Sequence, residues 1–178
     1  MKYIKEYGPY ILIIIIVLLL KTYVVTPIVV SGDSMYSTLH DGDIMILNKL
    51  YNEKDIKRYD IVVVKYKEVN SLGKTSNKDI IKRIIGMPGD KIECIDNVLY
   101  INGEKVEEKY LDKDTITENF SLNDLFDTDT VPEGMYFVLG DNREVSLDSR
   151  RIGFIDKKNI EGKASFTIFP FNRFGKKE

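Results

Sequence analysis

Two residues far apart in this chain, a serine and a lysine, could together cut a bond. Ser34 lies in the turn-forming stretch Ser31-Gly32-Asp33-Ser34-Met35-Tyr36-Ser37-Thr38-Leu39, and Lys82 interrupts the apolar run Ile80-Ile81-Lys82-Arg83-Ile84-Ile85-Gly86. In an alternating strand Ile80, Lys82 and Ile84 share one face, while Ile81 and Arg83 take the other. A lysine turned toward an apolar interior loses part of its basicity to desolvation, and the neutral amine can then take a proton from a serine hydroxyl. The competing reading of Lys82 is a solvent-facing gatekeeper on an edge strand. Ser34 taken alone is an ordinary turn residue. It is preferred over Ser31 and Ser37 because Gly32 permits close backbone approach and the Ser34 N–H can face a developing oxyanion. A third polar segment, Gly140-Asp141-Asn142-Arg143-Glu144-Val145-Ser146-Leu147-Asp148-Ser149-Arg150, follows an apolar strand. There Asp148 and Arg150 read as an ion pair bracing a loop.

Composition narrows the chemistry further. The 178 residues contain one histidine, His40, and one cysteine, Cys94. An intramolecular disulfide is impossible, a structural zinc site lacks ligands, and imidazole catalysis would have to run through His40. Cys94 reads as a small buried hydrophobe in a strand. Lys+Arg total 26 against 28 Asp+Glu, a net charge of −2, which argues against nucleic acid as a partner.

The elements that must position these groups are mostly strands. Short runs rich in β-branched and aromatic residues cover 43–48, 61–66, 80–85, 91–95, 98–101, 135–139 and 164–169. Asn102-Gly103 after Val98–Ile101 predicts a tight hairpin. No stretch after Val30 carries a helical apolar period of useful length. The polar stretches 70–78 and 113–130 read as loop insertions. Before the strands, Ile11–Leu20 is an unbroken run of ten aliphatics. Extended over 7–26 with Lys21 snorkelling and Tyr7, Tyr10 and Tyr23 at the interfaces, it predicts one transmembrane helix. No small-residue cleavage triplet follows it, so an uncleaved anchor is favoured over a signal peptide. Lys2 and Lys5 place residues 1–6 in the cytoplasm and 27–178 outside. The expected architecture is an all-β catalytic domain behind a single N-terminal transmembrane helix.

Taken together, the segments resemble the bacterial type I signal peptidases, membrane-anchored Ser-Lys proteases. Ser31–Leu39 resembles the family's nucleophile box, Asp41-Gly42-Asp43 with Asn48-Lys49 the next, Lys82–Asp90 the lysine box, and Gly140–Arg150 with Gly153 the last. Glu108-Lys109-Tyr110-Leu111 resembles a further segment, with Lys109 in place of the usual proline. The resemblance implies a signal-peptidase and repressor-protease-like β fold, with Ser34 as nucleophile, Lys82 as general base and Ser146 hydrogen-bonding the amine. Asp148 and Arg150 would hold the loop, and Val30, Met35, Leu39 and Ile81 would line shallow pockets for small side chains at the −1 and −3 positions of a signal peptide. It further implies an acyl-enzyme on Ser34, no metal or cofactor, the bilayer and preproteins as partners, and Sec-type export machinery nearby. Two departures stand out. Ser37 replaces a usual proline, which predicts a less rigid turn, and Gly32 replaces the serine that some members use in the oxyanion hole. Many Gram-positive members carry that glycine, and a single short anchor fits the same subgroup.

Three other readings compete. A self-cleaving repressor-type Ser-Lys protease would carry a DNA-binding domain where this chain has its apolar segment. An anchored binding protein would leave the serine and lysine segments unexplained. A sortase-like transpeptidase would rest on Cys94 and His40 alone.

Overall fold

A computed structural model describes residues 2–69 and 73–177. It opens with α1 (Lys2–Tyr23) and continues into β1 (Val25–Val29), β2 (Ile44–Asn48), β3 (Ile61–Val69) and β4 (Thr75–Gly86). A hairpin region holds β5 (Ile92–Ile95), β6 (Val98–Ile101), β7 (Glu104–Lys105) and β8 (Phe120–Ser121), followed by the short α2 (Leu122–Phe126). Then come β9 (Met135–Leu139), α3 (Ser149–Ile152), β10 (Ile155–Asp156), β11 (Ile160–Phe169) and β12 (Gly175–Lys176).

Two antiparallel sheets result. The larger runs β1-β2-β11-β3-β4-β9-β10, with β12 pairing β11, and the smaller runs β7-β6-β5-β8. The part of the chain after α1 is mostly β, as the strand runs predict. The Asn102-Gly103 hairpin forms as expected: both residues have positive φ (55° and 81°), which the tight turn between β6 and β7 requires. An equivalent turn at Asp96-Asn97 (φ 49° and 62°) joins β5 to β6.

Three stretches depart from the expected boundaries. Val25 and Thr26, counted with the anchor, pair instead with Asn48 and Leu47 of β2. In the stretch 70–78, residues 70–72 lie outside the described residues, whereas Thr75–Lys78 continue β4 against Val69–Tyr66 of β3. The stretch 113–130 contributes β8, which pairs with β5, and α2, capped by Ser121. Polar side chains misled the reading in both cases, because exposed ladders and short capped turns need no apolar periodicity.

Among the described residues no helix is long and apolar enough to cross a membrane. The side chains of Ile11–Leu20 are nonetheless 46–58% exposed, an apolar surface on all sides of α1.

Three clusters form the core. One joins the β5–β6 hairpin to Phe137 and Leu139 of β9, with Phe120 stacked on Phe137. A second packs Val30, Met35 and Leu39 against Met45, Leu47, Ile61 and Val63. The third packs Val62, Val64 and Ile84 against Tyr136 and Val138. The Ser31–Leu39 turn is therefore seated on the second cluster, and β4 contributes to both faces of the large sheet. Asp90 ties β4 to the small sheet, accepting hydrogen bonds from Arg58 Nη1 (2.7 Å), the Met87 N–H (2.6 Å) and Asn102 Nδ2 (2.9 Å).

Candidate active site

Lys82 Nζ lies 2.6 Å from Ser34 Oγ and donates to it. The gatekeeper reading fails, because Lys82 is only 2% exposed. Burial, opposed by the charges of Asp148 and Asp141, lowers its pKa from 10.5 to about 8. On β4, Lys82 pairs with Val62 of β3, and β9 joins only from Arg83 onward.

Ser34 is held from two directions. Upstream, Val30 exchanges backbone hydrogen bonds with the Asp41–Asp43 turn: its N–H donates to the Asp43 carbonyl (2.8 Å), and its carbonyl accepts from Gly42 (3.0 Å). The Gly32 N–H donates to Asp41 Oδ1 (2.8 Å). Downstream, the Asn142 N–H donates to the Ser34 carbonyl (3.1 Å), which fastens the turn to the loop after β9. That approach depends on Gly140: a Cβ there would lie 2.4 Å from the Ser34 carbonyl oxygen and 2.1 Å from Ser146 Oγ.

Beneath the pair runs a buried polar network. Arg83 and Asp141, both essentially unexposed, form a two-pronged ion pair (Nε–Oδ1 2.9 Å, Nη2–Oδ2 2.6 Å), and Thr38 Oγ1 donates to Asp141 Oδ2 (2.6 Å). The Arg83 guanidinium also sits 4.0 Å from the centre of the Tyr110 ring. Arg143 pairs with Glu108, bonds Thr117 Oγ1 (2.9 Å) and donates through Nε to the Gly140 carbonyl (3.1 Å). Asp148 accepts from Gly140 N–H (3.1 Å) and from Arg150 Nε (2.9 Å) and Nη2 (2.9 Å), while Arg150 Nη2 reaches the Arg143 carbonyl (2.5 Å). Asp148 and Arg150 thus form the expected pair. The ties of Asp141, Arg143, Glu108 and Tyr110 went unseen in the sequence, where nothing tells which buried cation meets which buried anion.

Three expectations need correction. Ser146 does not bond the lysine amine: its buried Oγ has no hydrogen-bond partner, and the second acceptor for Lys82 Nζ is the Ile81 carbonyl at 2.8 Å. Ser146 packs over Gly140 instead. Leu39 lines no pocket, being wholly buried beneath the turn in the core. Val30, Met35 and Ile81 do line a cleft of about 110 Å³ together with Ser34, Gly32 and Lys82. Ser37, expected to loosen its turn, has φ 91°, which no proline adopts, and its Oγ donates to the Tyr110 carbonyl (2.9 Å). Cys94 is buried in β5 with its thiol toward the Thr117 carbonyl, and burial raises its pKa. Among the described residues no cluster of three or more His, Cys, Asp or Glu side chains is arranged to hold a metal ion.

The arrangement can do acyl transfer: a hydroxyl, a base poised to deprotonate it, and an apolar cleft leading to both. Comparison with known proteins agrees. The family model described as signal peptidase, peptidase S26, matches residues 3–169. This chain belongs to that family. It is 42% identical to signal peptidase I T of Bacillus subtilis (94% of this chain, 86% of that one). It is 40% identical to signal peptidase I of Bacillus licheniformis (93% and 88%), and 38% identical to signal peptidase IB of Staphylococcus aureus (90% and 86%). A crystal structure of a signal peptidase I from Enterococcus faecalis is 37% identical, with a TM-score of 0.50, covering 61% of this chain and 95% of that one. The family and these relatives make the chain a serine endopeptidase that removes signal peptides from preproteins.

Proposed function

We propose that Ser34 is the nucleophile and Lys82 the general base of that hydrolysis. The 2.6 Å contact between a buried amine and a hydroxyl carries the reading. Deprotonated Lys82 accepts the Ser34 proton as Oγ attacks the scissile carbonyl, and the resulting ammonium gives that proton to the leaving amine. An ester on Ser34 is then hydrolysed by water that Lys82 activates. The Ser34 N–H engages no protein acceptor among the described residues, which leaves it for the oxyanion. Asp148 and Arg150 hold the Gly140–Ser146 loop against Ser34. Ser146 packs its buried hydroxyl against Gly140 within that loop.

The preprotein enters extended. β1 is the end strand of the large sheet, and β4 pairs with β9 only from Arg83 onward, so Val29 and Asp79–Lys82 present two free edges to one cleft. A strand laid between them gains backbone hydrogen bonds on both sides.

The same proposal sets residues 7–23 in the bilayer as a single anchor, 1–6 in the cytoplasm and the strands from Val25 onward outside, beside Sec-type export machinery. The all-round apolar α1 supports it, as does an exposed aromatic group, Phe166, Phe169, Phe171 and Phe174, on and beyond β11. The test of the dyad is preprotein cleavage by purified full-length chain in detergent. Ser34→Ala and Lys82→Ala each abolish turnover, while Cys94→Ser and His40→Ala retain it. Turnover by Lys82→Ala removes Lys82 from the mechanism.

A further inference from the structure

A basic notch interrupts one edge of β11. β3 takes that edge from Ile160 to Lys163, and β12 takes it again at Phe166 and Thr167, while β2 covers the opposite edge. Between β3 and β12 lies a hollow of about 400 Å³, the volume class of a small-ligand site. Lys57, Arg58, Lys163, Lys176 and Lys177 line it, against the single carboxylate of Asp60. Arg58 is engaged by Asp90 and Lys163 by Asp60 (2.7 Å each), whereas Lys57 and Lys177 enter no ion pair among the described residues. Ser165 adds a hydroxyl donor. In a chain of net charge −2 this concentration of cations is local, and the chemistry of Ser34 and Lys82 makes no use of it. Its walls are tied in place: the Lys177 N–H donates to the Ser165 carbonyl (2.7 Å), and Lys163 Nζ donates to the Asp55 carbonyl (2.9 Å).

Position and neighbours say what the notch holds. Val25, the first residue of β1 after α1, pairs with Asn48 of β2, which pairs in turn with Lys163. Lys163 therefore stands in the same row of the sheet as the end of α1, two strand spacings or about 10 Å away. Across β11 and β12, Lys176 pairs with Phe166, whose ring meets that of Phe174 edge-on at 5.1 Å, and both rings are exposed. Cations beside exposed aromatics, level with the end of an apolar helix, match the two zones of a bilayer interface, headgroup phosphates and the acyl boundary beneath them. We propose that the notch binds the headgroup of an anionic phospholipid. Lys57, Lys177 and Ser165 hold its phosphate, and Phe166 and Phe174 enter the acyl boundary beside it. One helix fixes the height of the β domain over the bilayer; a second attachment across the sheet fixes its tilt.

This inference rests on α1 as the membrane anchor, and the experiment separates the two. The full-length chain is reconstituted in vesicles of phosphatidylcholine, or of phosphatidylcholine mixed with phosphatidylglycerol, and acetylation of each lysine by an uncharged reagent is followed by mass spectrometry. The chain floats with both vesicles. Phosphatidylglycerol slows acetylation of Lys57 and Lys177 by roughly fivefold, the size of one lysine's attraction to an anionic surface, and high salt abolishes the slowing. Lys49, in the same row but outside the notch, registers the diffuse surface charge and changes less. Lys57→Gln removes the slowing at Lys177, because the two hold one phosphate. Inorganic phosphate added to phosphatidylcholine vesicles leaves all the rates as they were. Equal slowing at Lys49, Lys57 and Lys177, or none at any of them, overturns the proposal. Slowing by inorganic phosphate alone, or slowing that needs preprotein and ignores lipid charge, assigns the notch another occupant and overturns it too. A chain that floats with neither vesicle overturns the anchor reading, and the lipid site falls with it.

Discussion

Ser34 and Lys82 could be paired from sequence because an unpaired lysine between isoleucines is costly unless it has a task, and one histidine leaves few other bases. What the alternation of residues could not supply was the environment. Lys82 is surrounded on β4 by groups that pull in opposite directions: burial lowers its pKa, while Asp148 and Asp141 raise it. The outcome is an amine that loses its proton near neutrality. Ser37 shows the opposite limit of sequence reading. Likeness to relatives suggests that proline there would stiffen the turn, yet φ 91° lies far from the −65° that a pyrrolidine ring demands. Ser37→Pro therefore lowers stability by about 1–3 kcal/mol or more, read as a lower thermal midpoint, and displaces the Tyr110 contact. A raised midpoint would mean that the turn adopts another conformation.

Among the elements, the loop after β9 matters most, because it reaches the nucleophile turn, the ion pair of Asp148 and Arg150, and the Arg143–Glu108 pair. Its reach depends on a glycine. Gly140→Ala places a methyl group within 2.4 Å of the Ser34 carbonyl oxygen and against Ser146, so one of them must move. The expected cost is about 1–3 kcal/mol of overpacking strain. It appears as a fall in kcat larger than the change in KM, since the loop positions Ser34 rather than the peptide. Unaltered kcat would show that the loop yields freely. The strands were legible because their apolar runs are short, β-branched and bounded by Gly, Asn and Asp. The junctions were not: Val25 and Thr26 are apolar or neutral enough to pass for helix and are drawn into the sheet by pairing with β2, and Thr75–Lys78 are polar yet laddered. Ladder bonds are made by backbone, to which side-chain pattern is blind.

At the scale of the whole molecule, a β domain carrying the chemistry is joined by a two-sided tie to the helix before it. The Lys49 N–H donates to the Val24 carbonyl (2.9 Å), and the Val24 N–H to the Leu20 carbonyl (2.9 Å), so the end of α1 is continuous with the large sheet. Such a junction keeps Ser34 at a fixed height above whatever surface holds α1. In cells expressing the full chain, the protein stays with membranes through alkaline extraction, and added protease digests 27–178 from the extracytoplasmic side only. Release by alkali would refute the anchor, and digestion from the cytoplasmic side would reverse its direction. The central claim remains the lysine base, and its most direct test is the pH dependence of kcat/KM for a preprotein. Only neutral Lys82 can accept the Ser34 proton, so the rate is low where the amine is charged, rises with pH and levels off above its pKa. The account predicts a single ascending limb with an apparent pKa of about 8. A midpoint at the ordinary lysine value of 10.5, or a rate that does not rise with pH, would contradict it.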